Sequence, residues 1–161
     1  VEPSRAEVAG TLLAFHGNAE LAAWSVPWAR RAAERTGWRV VLPEYRGYAG
    51  LGGAPAYRHS AADARAAYDA VRRAWPEAAG APTAVFGHSL GSAVAAELAA
   101  ELAGEGQTPG ALVLQSPFTS ARAMARVPAG PGADEGWRRI GRVGFDTAAR
   151  VAELDVPVWV S

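Results

Sequence analysis

Val85-Phe86-Gly87-His88-Ser89-Leu90-Gly91-Ser92-Ala93 runs from a short apolar stretch, through a G-x-S-x-G pentapeptide, into a helical pattern. A serine between a strand and a helix sits on a sharp, strained turn that lifts its hydroxyl above the end of a sheet. Glycines two positions to either side keep neighbouring backbone from colliding there. Ser92, Ala93, Ala95 and Ala96 are small, so the helix can lie close against the strands. Ser89 also stands at a helix N-terminus, where free N–H groups and the dipole favour a developing negative charge. A Gly-rich turn holding an incidental serine is the bland alternative, and it explains less of this context. Ser89 is therefore the expected nucleophile, with Gly87, His88 and Gly91 in supporting places.

Working outward, Thr11-Leu12-Leu13-Ala14-Phe15 is an apolar run closed by His16-Gly17-Asn18, as a buried strand ending in a turn would be. Trp38-Arg39-Val40-Val41-Leu42-Pro43, Thr83-Ala84-Val85-Phe86, Ala111-Leu112-Val113-Leu114 and Val156-Pro157-Val158-Trp159-Val160 read the same way. Helical patterns separate them: from a Ser25 cap to Arg35 with Pro27 in the first turn and Gly37 closing it, from Ala61 to Trp75, from Leu90 to Leu102, and shorter ones between Thr119 and Ala152. Continuous apolar strands alternating with helices predict an α/β fold, a parallel sheet covered on both faces. Its expected spatial order is second, first, third, fourth, fifth strand. Residues 117–145 break the alternation, being rich in Gly, Pro and Arg with Trp137 standing apart. They read as a surface excursion or as a lid, since loops at the carboxyl ends of parallel strands carry specificity. No repeat or second domain stands out, so residues 1–161 are expected to form one partial domain.

Half of the 161 residues are hydrophobic and a fifth are charged, a composition suited to one globular domain. Sixteen basic residues balance sixteen acidic ones, and the basic residues cluster no further than pairs such as Arg30-Arg31, Arg72-Arg73 and Arg138-Arg139. Nothing here supplies the basic face a nucleic acid needs. Cysteine is absent, which removes disulfides, thiol nucleophiles and thiolate zinc sites. Neither a metal nor a cofactor is expected. No apolar run approaches the roughly 18 residues of a membrane span, and a cytoplasmic location is the default expectation. Oligomeric state is left open.

Acyl transfer at Ser89 needs an oxyanion hole, built from the N–H that follows the nucleophile, Leu90, and a second N–H. The turn His16-Gly17-Asn18-Ala19 is placed to give it, from Asn18 first and Ala19 as the alternative. His16 is expected to brace this turn rather than act as a base. His88, beside the serine in a tight turn, should point away, and His59 should be solvated. Gly50-Leu51-Gly52-Gly53 lacks the G-x-G-x-x-G spacing and the P-loop Lys-Ser/Thr, and reads as a turn.

Together, His16-Gly17-Asn18-Ala19, Tyr45-Arg46-Gly47-Tyr48, Gly87-His88-Ser89-Leu90-Gly91-Ser92 and Ser116-Pro117-Phe118-Thr119-Ser120 resemble the α/β-hydrolase superfamily. The similar branch holds depalmitoylase-like and lysophospholipase-like serine hydrolases, which show HGNA, YRGYG, GxSLGG and SPFTS blocks. The resemblance covers nearly the whole chain. It departs at Ala49, where the family usually has Gly, at Glu44 for a frequent Asp, and at Gln115 for a frequent Glu.

The resemblance implies an esterase, thioesterase or lipase-like enzyme acting on a small-molecule or lipid-like acyl substrate. It also implies a chain order of serine, acid, histidine. No histidine follows His88, and Asp134, Asp146 and Asp155 carry no motif that makes any of them the acid. Residue 1 is Val and the only methionine is Met124. The expectation is a central piece of a larger hydrolase, with two strands before Val1 and the catalytic Asp and His after Ser161. The fragment alone would then be inactive. A non-catalytic binding or scaffold module that keeps the elbow without its base is the alternative.

Overall fold

A computed structural model of the chain describes residues 1–4, 7–54, 56–76, 80–121, 123 and 144–161. The strands are β1 (Gly10–Phe15), β2 (Trp38–Val41), β3 (Thr83–His88), β4 (Ala111–Gln115) and β5 (Val158–Val160). They form one parallel sheet in the order β2-β1-β3-β4-β5, as the sequence predicts. The helices are α1 (Val26–Thr36), α2 (Tyr57–Ala74), α3 (Leu90–Gly104) and α4 (Thr147–Ala152).

Alternation along β1 sorts the core into two faces. Leu13 and Phe15 join Val85, Leu112 and Leu114 under α3, with Ala64, Tyr68 and Val71 of α2 packed alongside. Ala14 and Val40 meet Ala29 and Ala33 of α1 on the other face, where Trp28 lies over Phe86. Helix α3 is buried from Gly91 to Ala96 and again at Leu98, Ala99 and Leu102, because the sheet lies beneath it and α2 and α4 flank it. A helix enclosed this way needs small and apolar residues all round rather than on one stripe.

Several boundaries differ from expectation. Ser25 precedes α1 but its side chain makes no capping bond, since a 3-10 turn over Ala22–Ser25 already holds its backbone in a helical conformation. Gly37 does close α1, at φ 77°. Strand β3 continues through Gly87 and His88, paired with Leu114 and Gln115. Strand β5 starts two residues later than expected, after Pro157, which has no N–H to give the ladder. Asp146 caps α4, accepting from the Ala149 N–H at 3.0 Å. Apart from its two ends, the possible lid at 117–145 lies outside the described residues, as do Trp137 and Asp134. Among the described residues no helix is long and apolar enough to cross a membrane.

Candidate active site

Ser89 has φ 49° and ψ −114°, a conformation that a side-chain-bearing residue rarely adopts. The surroundings over-determine it. The Ser89 N–H donates to the Gln115 carbonyl at 2.9 Å, at the end of β4. Its own carbonyl accepts from the Ser92 N–H at 2.9 Å and the Ser92 hydroxyl at 2.5 Å. The flanking glycines are sterically required: a Cβ on Gly87 would lie 2.1 Å from the Gly91 carbonyl oxygen, and one on Gly91 would lie 2.2 Å from the Phe15 oxygen. Helix α3 thus abuts the end of β1 with no room for a methyl group.

The turn after β1 is held by partners far away in sequence. His16 Nδ1 lies 2.9 Å from the Gly17 carbonyl and Nε2 lies 2.7 Å from Glu44 Oε1. With both ring nitrogens facing acceptors in a buried site, His16 braces the turn, and Glu44 reaches on to the Ala22 N–H at 3.0 Å. The Tyr45 hydroxyl donates to the His16 carbonyl at 3.1 Å and the Tyr48 hydroxyl to Asn18 Oδ1 at 2.7 Å. Burial pushes the Tyr45 phenol up, away from ionisation, so it serves as a neutral donor. The block 45–48 is therefore the bracket for the block 16–19. Arg46 instead turns outward to chelate Asp63 of α2.

Asn18 and Leu90, the two expected oxyanion donors, have N–H groups with no partner among the described residues. Gly17 cannot serve, because its N–H donates to Glu20 Oε2 at 2.8 Å. Ala19, the alternative donor, sits at φ 58° in the same turn.

His88 meets Glu20, with Nδ1 3.1 Å from Oε1, and makes no hydrogen bond to the Ser89 hydroxyl. Burial pushes the Glu20 carboxyl up, but the Gly17 N–H and His88 outweigh it and hold the group below the ordinary glutamate range. Neither Glu20 nor this pairing was visible in the sequence, where no motif marks residue 20. His59 contacts the Ala54 carbonyl at 3.0 Å. Among the described residues the Ser89 hydroxyl has no hydrogen-bond partner, so none of the three imidazoles is engaged as its base. Asp155 is exposed after α4.

A cleft of about 420 Å³ opens beside the elbow on the α1 face, walled by Trp24, Trp28, Leu42 and Phe86 and rimmed by Glu20 and His88. It does not include Ser89.

The geometry has counterparts. Over 127 residues the chain is 40% identical to an uncharacterized protein of Mycobacterium tuberculosis strain H37Rv, a match covering 77% of this chain and 41% of that protein. It is 38% identical over 91 residues to the lysophosphatidylserine lipase ABHD12 of Danio rerio, covering 56% of this chain and 23% of the lipase. The chain thus spans less than half the length of these relatives. An α/β-hydrolase from Vibrio vulnificus superposes with a TM-score of 0.77 at 22% identity, covering 93% of this chain and 55% of that one. A bacterial heroin esterase does so with a TM-score of 0.63 at 21% identity, over 97% and 47%. The family model described as serine aminopeptidase, S33, matches residues 6–143. With that match, and with the parallel sheet and elbow already in place, the chain belongs to the serine aminopeptidase S33 family and has the α/β-hydrolase fold.

Proposed function

We propose that this chain is the nucleophile-bearing part of a serine hydrolase acting on an ester, thioester or amide. Ser89 Oγ attacks the acyl carbonyl, the N–H groups of Leu90 and Asn18 hold the oxyanion, the leaving group departs with a proton, and water then releases the acyl group. The observation that carries this reading is the left-handed Ser89 at the head of α3, followed by a Leu90 N–H with no partner among the described residues. A lipid-like acyl substrate is supported by the lysophosphatidylserine lipase relatives.

The base and its acid partner, a His and an Asp, are placed by this proposal beyond Ser161. That fits the serine, acid, histidine order of such enzymes and the lack of any histidine after His88. Residues 1–161 form a single partial domain, and the protein works in the cytoplasm. The alternative is a binding module that has lost its base, a reading equally compatible with a Ser89 hydroxyl that has no hydrogen-bond partner among the described residues.

One experiment separates the two. Residues 1–161 are compared with a chain continued by about a hundred residues, roughly the remainder of a domain of this size class, using a p-nitrophenyl ester and a fluorophosphonate probe. The short chain should be nearly inert and the longer one should turn over and label. Labelling by neither supports the binding module. Full activity from the short chain would mean that His16, His59 or His88 is the base after all.

A further inference from the structure

The turn that holds Asn18 and the elbow that holds Ser89 belong to different strands, and an oxyanion site needs them at a fixed separation. Small misplacements of catalytic groups are costly: an error of about 1 Å can lose a hundredfold in rate. Glu20 lies two residues past Asn18 and His88 one residue before Ser89. Glu20 Oε2 accepts from the Gly17 N–H at 2.8 Å, while His88 Nδ1 approaches Oε1 at 3.1 Å and Oε2 at 3.2 Å. All three groups crowd one side of Gly17: a Cβ there would meet Glu20 Cδ, Glu20 Oε2 and His88 Nδ1, each at 3.2 Å. Among the described residues this is the side-chain link that ties the turn to β3, because Tyr45, Tyr48 and Glu44 tie it only to the chain after β2.

We infer that Glu20 and His88 form a carboxylate–imidazole clamp that sets the Asn18 N–H against the Ser89 elbow, which makes both of them positioning residues for the hydrolysis proposed above. The inference rests on that reading. Neither side chain touches the reacting atoms. The clamp acts through Gly17: it holds the N–H of the His16–Gly17 peptide, and the next peptide, which carries the Asn18 N–H, is held at its Gly17 carbonyl by His16 Nδ1 at 2.9 Å. Both side chains are about one-third exposed, at 36% each. A carboxylate–imidazole contact at that exposure adds little to global stability, so its effect is expected in geometry rather than in folding. The depressed Glu20 carboxyl agrees with a carboxylate that stays charged to receive both donors.

The test uses the chain continued past Ser161, with four variants. Glu20→Ala and His88→Ala should each lower kcat by roughly ten- to a hundredfold, less than or equal to the loss of a whole oxyanion donor, with KM within about twofold. Glu20→Gln keeps an oxygen for the Gly17 N–H, and His88→Asn places an amide nitrogen where Nδ1 stands, so both should keep kcat within about threefold. Melting temperatures should move little across the set. An unchanged kcat in both alanine variants, beside an active wild type, would overturn the positioning role and leave the hydrolase reading standing. Equal losses in the alanine and conservative variants would also overturn it, since the hydrogen bonds would then not be the cause. No turnover by the wild type would overturn the hydrolase reading, and the clamp's role with it.

Discussion

Ser89 and Ser116 occupy the same step of the fold one strand apart. Each follows directly on a strand, each has a left-handed backbone (φ 49° and φ 50°), and each gives its N–H to a carbonyl at the end of the next strand over: Ser89 to Gln115 at 2.9 Å, Ser116 to Ser161 at 2.7 Å. The difference lies in what comes next. Leu90 opens α3 with an N–H that has no partner among the described residues, whereas Pro117 has no N–H at all. Glycines that a Cβ could not replace flank Ser89, while Ser116 is exposed and has Gln115 and Pro117 beside it. A strained serine at a strand end is therefore common to both places. The donor behind it and the helix beneath it are found at only one.

The comparison can be broken or sharpened by mutation. In the chain continued past Ser161, Ser89→Ala should lower ester turnover by about a millionfold and abolish fluorophosphonate labelling, while Ser116→Ala stays within about threefold of wild type because no donor follows it. Comparable losses at both serines would erase the distinction. Leu90→Pro gives the elbow the sequence feature of the Ser116 step. Proline is tolerated at the first helical position, so α3 should survive by circular dichroism while kcat falls about a hundred- to a thousandfold. Gly91→Ala drives a methyl into the Phe15 and His16 carbonyls and should cost more than about 3 kcal/mol in urea unfolding. The smallest effect is expected away from both serines, at Ala49. It holds φ 50° where the family usually has Gly, and Ala49→Gly should stabilise by roughly 0.5–1 kcal/mol without changing kcat.

The strands were legible because parallel strands buried on both faces must be continuously apolar, and Leu12 to Phe15 and Leu112 to Leu114 satisfy that without ambiguity. Their ends were not. Strand β3 runs on to His88 because Phe15 and Gln115 are there to pair with it, and no local pattern reports that. Helix α2 starts at Tyr57 rather than Ala61, with extended Ala56 before it and no capping side chain to announce the start. The missed Ser25 cap has a similar origin: the Ala22 N–H is taken by Glu44, a residue that a reading of local caps never consults. At the site, Ser89, Gly87 and Gly91 could be identified because their constraint is local and steric. Glu20 could not, because its partner is His88 and the contact exists only once β1 and β3 are side by side.

That dependence reaches into how the molecule acquires its shape. Strand β1 pairs on one edge with β2, which follows it soon, and on the other with β3, which is made much later. The entropy of closing that long loop must be met before the pairing returns any contact energy, so sheets joined this way fold slowly. Locally the left-handed backbone at Ser89 has only its bonds from Ser92; the rest of its support comes when the Phe15 and His16 carbonyls lie against Gly91 and the Gln115 carbonyl is in place. The reactive conformation is consequently assembled late, and a β1 substitution that slows refolding should delay the appearance of the elbow in the same proportion.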